Sequence, residues 1–365
     1  MENLPTRFAS LLDLARLPWF ARSEEGRLVL RDRSVGPIAD LHTHLAMAYV
    51  RPPSVDLHAL HPETQHYLPA CCAVDLDVYA NQNMSREVVR ELTRDLTWRS
   101  LGPRGMRATH TVPNLLREME ETGIRASLLL PIDYPVLSHN AETALREADA
   151  HGDRLRSFGS VHPFASDAER RLDEQLRRGA RGIKVHPGVQ VVRPDARRAR
   201  RLYRMCGERD MIVFWHCGPA GIEPRLGRYL NRVRFYEAPI AENPRTRFVL
   251  GHSGAREFEQ ALALQHRYPN VWLETSSQSL TNVRRMIAEG DPDRIVHGSD
   301  WPFYHPAISV AKVLIATEGR PELRAMIGGL LSELTRSRAA ALRSPTGPGV
   351  ARPGGPRSRS TPSRR

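Results

Sequence analysis

The chain has 365 residues, 41% of them hydrophobic, with 53 basic against 41 acidic side chains and a formal net charge of +12. That length suits one barrel-sized domain or two smaller ones, and no apolar run approaches the ~18 residues that a membrane span needs. Eight arginines and no acidic residue fall between Arg336 and Arg365, so removing them leaves +4 for residues 1–335, which argues against a nucleic-acid-type basic surface over the body of the chain.

Taken in order, residues 1–36 read as a lead-in: a short amphipathic helix over 8–17, the apolar Leu28-Val29-Leu30, and a turn at Gly36-Pro37. Arg7, Asp13, Arg16 and Pro18 interrupt any leader-like apolar core. Cys71, Cys72, Cys206 and Cys217 form neither a disulfide framework nor a metal-ligand spacing, so a reduced, cytoplasmic setting is expected.

The first strong strand is 38–45. Strand side chains alternate faces, so Asp40, His42 and His44 are expected on one side and Leu41, Thr43 and Leu45 on the other. A long insertion follows over 46–111, with Pro52, Pro53, Pro62 and Pro69 and one helix over 85–98 striped by Val88, Val89, Leu92 and Leu96. Such a segment is expected to be a functional lid or to be disordered. Its His58, His61 and His66 have no regular spacing and read as solvated or structural.

From Val112 onward short apolar strands alternate with amphipathic helices. The strands are 124–131, 155–162, 182–185, 211–216, 247–252, 270–274 and 294–300, eight with 38–45. Helices fall at 138–150, 195–206, 255–268, 281–289 and 307–317, and another opens on a capping box of Ser166 and Glu169, with Gly179 as its stop. Eight strands each followed by a helix predict an α/β fold, a (β/α)8 TIM barrel over residues 37–335. Beyond it, residues 336–365 are rich in Arg, Pro, Gly and Ser and are expected to be disordered.

Only two of the 53 basic residues, Lys184 and Lys312, are lysine. A lysine kept where arginine is otherwise the rule is a candidate for chemistry that needs a neutral amine. Lys312 reads instead as an exposed helix position.

Five strands end in groups that bind metal: His42 and His44, Lys184, His216, His252 and Asp300. In a barrel those ends meet at one mouth. Imidazole and carboxylate donors suit zinc and neighbouring divalent ions, a bound water would fall from a pKa of 15.7 to roughly 7, and Asp300 can shuttle its proton.

The order His-x-His, Lys, His, His, Asp resembles the amidohydrolase superfamily of metal-dependent hydrolases. The wording Asp40-Leu41-His42-Thr43-His44, Gly182-Ile183-Lys184-Val185-His186-Pro187, Gly251-His252-Ser253-Gly254 and Gly298-Ser299-Asp300-Trp301-Pro302 is similar to its branch of predicted TIM-barrel hydrolases, which also holds decarboxylases and hydratases. The likeness runs over about 38–327 less the insertion. Two departures stand out, the length of the insertion and the absence after Gly329 of an asparagine-containing terminal helix.

The resemblance implies that a carbamate on Lys184 (N6-carboxylysine) bridges two ions, one held by His42, His44 and Asp300, the other by His216 and His252. If Lys184 stays a free amine, one ion is expected on His42, His44, His216 and Asp300, with His252 as acid or base. Asp300, His252 and Lys184 are the catalytic candidates. His186, Trp301, Phe303 and Arg256 are the substrate-binding candidates, with packing or surface roles as the alternative for each, and His162 reads as structural.

The leading expectation is cleavage of an ester, lactone or amide in a small molecule. The alternatives are a non-oxidative decarboxylase or hydratase, a nuclease of the TatD-like kind, and a non-catalytic metal-binding barrel. A nuclease of that kind is expected to carry glutamate at Lys184. A small-molecule substrate is expected as partner, with no membrane, no nucleic acid beyond weak contacts of the tail, and a homodimer by family habit.

Overall fold

In the computed structural model the described residues are 4–46, 54–134 and 138–329. The tail expected to be disordered, 336–365, and part of the insertion lie outside them.

The central element is a set of parallel strands: β1 (Ile38–Thr43), β2 (Ile124–Leu129), β3 (Leu155–Ser157), β4 (Gly182–Val185), β5 (Ile212–His216), β6 (Phe248–Gly251), β7 (Val271–Glu274) and β8 (Ile295–Val296). β1, β2 and β3 pair in one arc and β4 to β8 in another, each strand beside its chain neighbour. Backbone bonds cross both seams. At one, Lys184 N donates to Gly159 O (2.8 Å) and Gly159 N to Gly182 O (2.8 Å); at the other, Leu41 N donates to His297 O (2.9 Å) and His44 N to Trp301 O (2.7 Å). The ring is the expected (β/α)8 barrel.

Alternation along the strands sorts their side chains. In β5, Ile212 and Phe214 join Leu41, Leu128, Phe158, Val249 and Val296 in the barrel interior, while Val213 and Trp215 face the helices. Burying each large apolar side chain contributes roughly 1.5–3 kcal/mol. In β4 the same rule sends Ile183 and Val185 outward, and Lys184 lies over the Phe214 ring at 4.7 Å. Strict alternation fails in β1. A register shift between Asp40 and Thr43 puts Leu41 in the interior cluster while the His42 ring also lies against Phe214, at 5.1 Å, an irregularity that re-aims side chains as a bulge does.

The helices used below are α1 (Arg86–Leu96), α2 (Val112–Thr122), α3 (Asn140–Ala150), α4 (Ala168–Arg177), α5 (Arg197–Glu208), α6 (Phe258–Arg267), α7 (Leu280–Glu289) and α8 (Pro306–Ala316). Ser85 caps α1 by accepting from Val88 N, and α2 ends on Gly123 in the left-handed conformation. The capping box expected at Ser166 is not formed. Asp167 is the N-cap of α4, and its carboxylate is taken by Arg170 and Arg171 instead.

The lead-in holds a short 3-10 helix, Leu11–Arg16, and a hairpin of Phe20–Arg22 with Leu28–Leu30. Its Arg7–Phe8 pairs with Val74–Asp75 of the insertion. The insertion is stitched to the barrel loops in turn: Leu68 N donates to Phe303 O (2.9 Å), Ala80 N to Ser277 O (2.8 Å) and Leu280 N to Leu76 O (2.7 Å). These layers cover α8, whose residues are all buried, so the exposed position expected for Lys312 is wrong. Lys312 Nζ donates to Gln278 O at 2.6 Å, and burial lowers its pKa to about 8.

Candidate metal centre and pocket

The strand ends place His42, His44, Lys184, His216, His252 and Asp300 around one buried mouth. One oxygen of Asp300 lies 3.6 Å from His42 Nε2 and 3.4 Å from His44 Nε2. Lys184 Nζ lies 3.1 Å from His42 Nε2. The His42 ring centre is 4.7 Å from that of His252, which is 4.7 Å from that of His216.

Hydrogen bonds decide which ring nitrogens are left free. His42 Nδ1 faces Glu274 Oε2 at 3.0 Å and His44 Nδ1 faces Leu130 O at 2.8 Å, so both rings donate from Nδ1 and keep a lone pair on Nε2. His252 Nδ1 lies 2.8 Å from Ser276 Oγ, whose proton goes to Glu274 Oε2 at 2.7 Å; His252 therefore donates and its Nε2 is also free. His216 Nε2 is buried without a hydrogen-bond partner, and its ring stacks on His186 at 3.9 Å and 8°.

Burial holds these rings neutral, His44 and His216 near pKa 3 and His42 and His252 well below the usual imidazole value. Burial likewise raises Asp300 to about 8 against the pull of Lys184, and lowers Lys184 to about 7 against Asp300 and Glu274. Such a donor set, with lone pairs and a carboxylate converging and charge poorly solvated, fits a divalent cation. Donor atoms of His42, His252 and Asp300 all lie within 4.8 Å of one another.

The backbone is bent to make this mouth. Among the described non-glycine residues at positive φ, Val191, His252, Ser253, Ala255, Ser277 and Asp300 lie in loops after strand ends, and only Asp210 does not. Strain of this kind concentrates at functional sites. Asp40 ties the mouth shut from behind, accepting from Ser299 N at 2.9 Å and Ser299 Oγ at 2.5 Å. Gly298 is required there, because a Cβ would sit 2.1 Å from Glu274 Oε1 and 2.7 Å from His42 Cβ.

Above the mouth opens a cavity of about 480 Å³, to which His186 and Phe303 contribute as expected. Trp301 and Arg256 do not. Trp301 is fully buried and donates from Nε1 to Glu118 at 3.0 Å, and Arg256 is exposed beside a separate surface cleft with Asp77 and Glu259. Glu274 and Ser276, which hold His42 and His252, went unrecognised in the sequence, although Glu274 ends a strand just as Asp300 closes its segment. His162 has the structural role expected, with Nε2 on Gln190 O at 2.9 Å.

A second buried group joins the insertion to the barrel: His66, Glu118 and His305. His66 Nε2 lies 3.0 Å from Glu118 Oε2 and its Nδ1 3.1 Å from Pro302 O, while His305 Nδ1 accepts from Ala307 N at 3.2 Å.

Residues 135–329, more than half of the chain, match the sequence profile of the amidohydrolase family. The chain belongs to that family. No curated protein matches it. Among solved structures it is similar to an uncharacterized TIM-barrel protein from Bordetella bronchiseptica, at 18% identity over 82% of this chain and 100% of that one, with a TM-score of 0.57. It is also similar to 5-carboxyvanillate decarboxylase from Novosphingobium aromaticivorans complexed with manganese, at 15% identity over 81% and 98%, TM-score 0.51. A third is a probable 2-pyrone-4,6-dicarboxylic acid hydrolase from Acinetobacter baumannii, at 13% identity over 82% and 99%, TM-score 0.50. At these identities the likeness is one of fold. No described helix of this family member is long and apolar enough to cross a membrane.

Proposed function

We propose that the protein is a metal-dependent hydrolase cleaving an ester, lactone or amide bond in a small molecule. The observation that carries this reading is the set of Nε2 lone pairs on His42, His44 and His252, that of His42 met by Lys184 Nζ at 3.1 Å, together with the orphaned Nε2 of His216 and the carboxylate of Asp300 at the floor of the pocket. Zinc is the expected ion, held by His42, His44, His216 and Asp300, and when bound it supplies Lewis acidity toward water and the substrate's carbonyl oxygen. A single ion, with Lys184 as a free amine, is a simpler reading of this donor set than the bridged pair.

Asp300 turns one oxygen toward His42 and His44, and its other oxygen takes the proton of the attacking water and returns it to the leaving group. Glu274 and Ser276 fix the tautomer of His252 so that its Nε2 faces the pocket as acid or base. Lys184, kept partly neutral by burial, orients and polarises the substrate's carbonyl by donating a hydrogen bond.

A second reading, non-oxidative decarboxylation, draws support from the largely apolar wall above the site, because removing water from a carboxylate favours spreading its charge. Purified protein loaded with zinc or manganese, assayed against lactones, aryl esters and aromatic acids, separates the two. The expected result is one equivalent of acid released per bond cleaved. Carbon dioxide released from an aromatic acid, with no ester or lactone cleaved, would overturn hydrolysis.

A further inference from the structure

The cavity above the candidate metal centre is walled by apolar side chains from several elements. Leu92 and Leu96 come from α1 of the insertion, Ile132 follows β2, Val189 follows β4, Ile222 follows β5 and Phe303 follows β8. The greasy surface continues to the rim, where Val191 is 48% and Leu226 57% exposed. Val191 is held there at φ 53, a conformation that a β-branched residue adopts only when its surroundings impose it.

The charges around the cavity are as telling. In a chain with 53 basic residues, Lys184 at the floor is the one lysine or arginine among the described residues of the lining. Among those described residues the charged side chain away from the floor is Glu223. It is pinned in place, with Oε1 accepting from Ala220 N (2.7 Å) and Asn231 Nδ2 (3.1 Å) and Oε2 from Gly221 N (2.6 Å). A substrate entering here meets cationic and ligand groups at one end and hydrocarbon with a fixed negative charge at the other.

We propose that the pocket takes a ring-bearing, mostly apolar substrate with a single polar group, which enters first and reaches His42, His44 and Lys184, and that a second anionic group on the substrate is rejected. Leu96 and Glu223 set this preference. The inference rests on the metal-centre reading given above and adds the substrate class. A cavity of about 480 Å³ accommodates a bicyclic molecule within the usual range for small-molecule sites.

Calorimetric binding of three inert acids to the zinc-loaded protein tests it without requiring turnover: benzoate, 2-naphthoate and naphthalene-2,6-dicarboxylate. The second ring buries more hydrocarbon, so 2-naphthoate is expected to bind about tenfold tighter than benzoate. The second carboxylate, lacking a cationic partner among the described lining residues, is expected to cost about tenfold or more. Leu96→Arg should tighten the dicarboxylate by about tenfold relative to 2-naphthoate, with an unchanged far-ultraviolet circular dichroism spectrum and zinc stoichiometry reporting that the variant is folded. Benzoate or the dicarboxylate binding the wild type as tightly as 2-naphthoate, or 2-naphthoate not binding at all, overturns the proposal. Repeating the titrations on zinc-stripped protein addresses the floor separately. All three acids should weaken together with their order kept, and unchanged affinities there would contradict the metal-centre reading while leaving the apolar preference standing.

Discussion

Among the described residues, two buried groups of two histidines and one carboxylate lie in this barrel, and they are built for opposite ends. At the mouth, His42 and His252 spend Nδ1 on Glu274 and Ser276 and leave Nε2 outside those bonds, that of His42 lying 3.6 Å from Asp300 and 3.1 Å from Lys184 Nζ. In the second group no nitrogen is spare. Both nitrogens of His66 face oxygens, Pro302 O and Glu118, and His305 Nδ1 is occupied by Ala307 N–H, which leaves the proton of the neutral ring on Nε2. Composition and burial are alike; the hydrogen-bond partners separate a ligand set from a clasp that fastens the insertion to α2 and to the loop after β8.

The largest effect expected from this contrast is on stability. Removing one partner of a buried pair costs about 3–5 kcal/mol, so Glu118→Gln should lower the unfolding free energy by that order, measured by urea denaturation at pH 7, and leave zinc affinity unchanged. Loss of zinc in this variant would break the distinction. The sign of its pH dependence follows from Glu118, where burial is outweighed by the pull of His66 and by hydrogen bonds from His66 and Thr64, and the pKa is lowered from 4.5 to about 2. A depressed carboxylate stabilises the fold above the unfolded value and loses that contribution as pH falls, so the gap between wild type and variant should close between pH 4.5 and 2.

Next in size is Glu274→Gln. Loss of a carboxylate behind a metal-binding imidazole lowers metal affinity by roughly 10–100-fold, and competition with a zinc chelator should read that loss. His305→Ala serves as the matched control, with zinc affinity expected to stay at the wild-type value.

A third effect, confined to alkaline pH, belongs to Lys312. Its folded pKa is about 8, below the ordinary 10.5, so the unfolded chain binds more protons between those values and stability should rise with pH across them. Lys312→Met should lack that rise in melting curves recorded from pH 8 to 10.5, and a rise identical to the wild type would place the lysine's charge in solvent.

Much of this was legible in the sequence. β4 was read with both ends correct, because Gly182 and the alternation of Ile183, Lys184 and Val185 carry a local signal. Convergence of His42, His44, Lys184, His216, His252 and Asp300 followed from barrel geometry alone. What failed was non-local. The segment read as a strand over 294–300 pairs as β8 only at Ile295–Val296, since Asp300 takes φ 63 to reach the mouth. Lys312 sits in Ala-Ile-Ser-Val-Ala-Lys-Val-Leu-Ile-Ala, apolar on every side, and that pattern marked a buried helix although its one charge suggested a surface. Arg256 and Trp301 were placed by proximity in sequence to His252 and Asp300, yet backbone turns separate them from the cavity.

The most direct measurement is anomalous diffraction at the zinc edge from crystals grown with zinc. One peak per chain is expected, bounded by His42, His44, His216 and Asp300, with no peak at His66, Glu118 and His305. Density at the second group, or none at the mouth, would contradict the assignment of the two clusters.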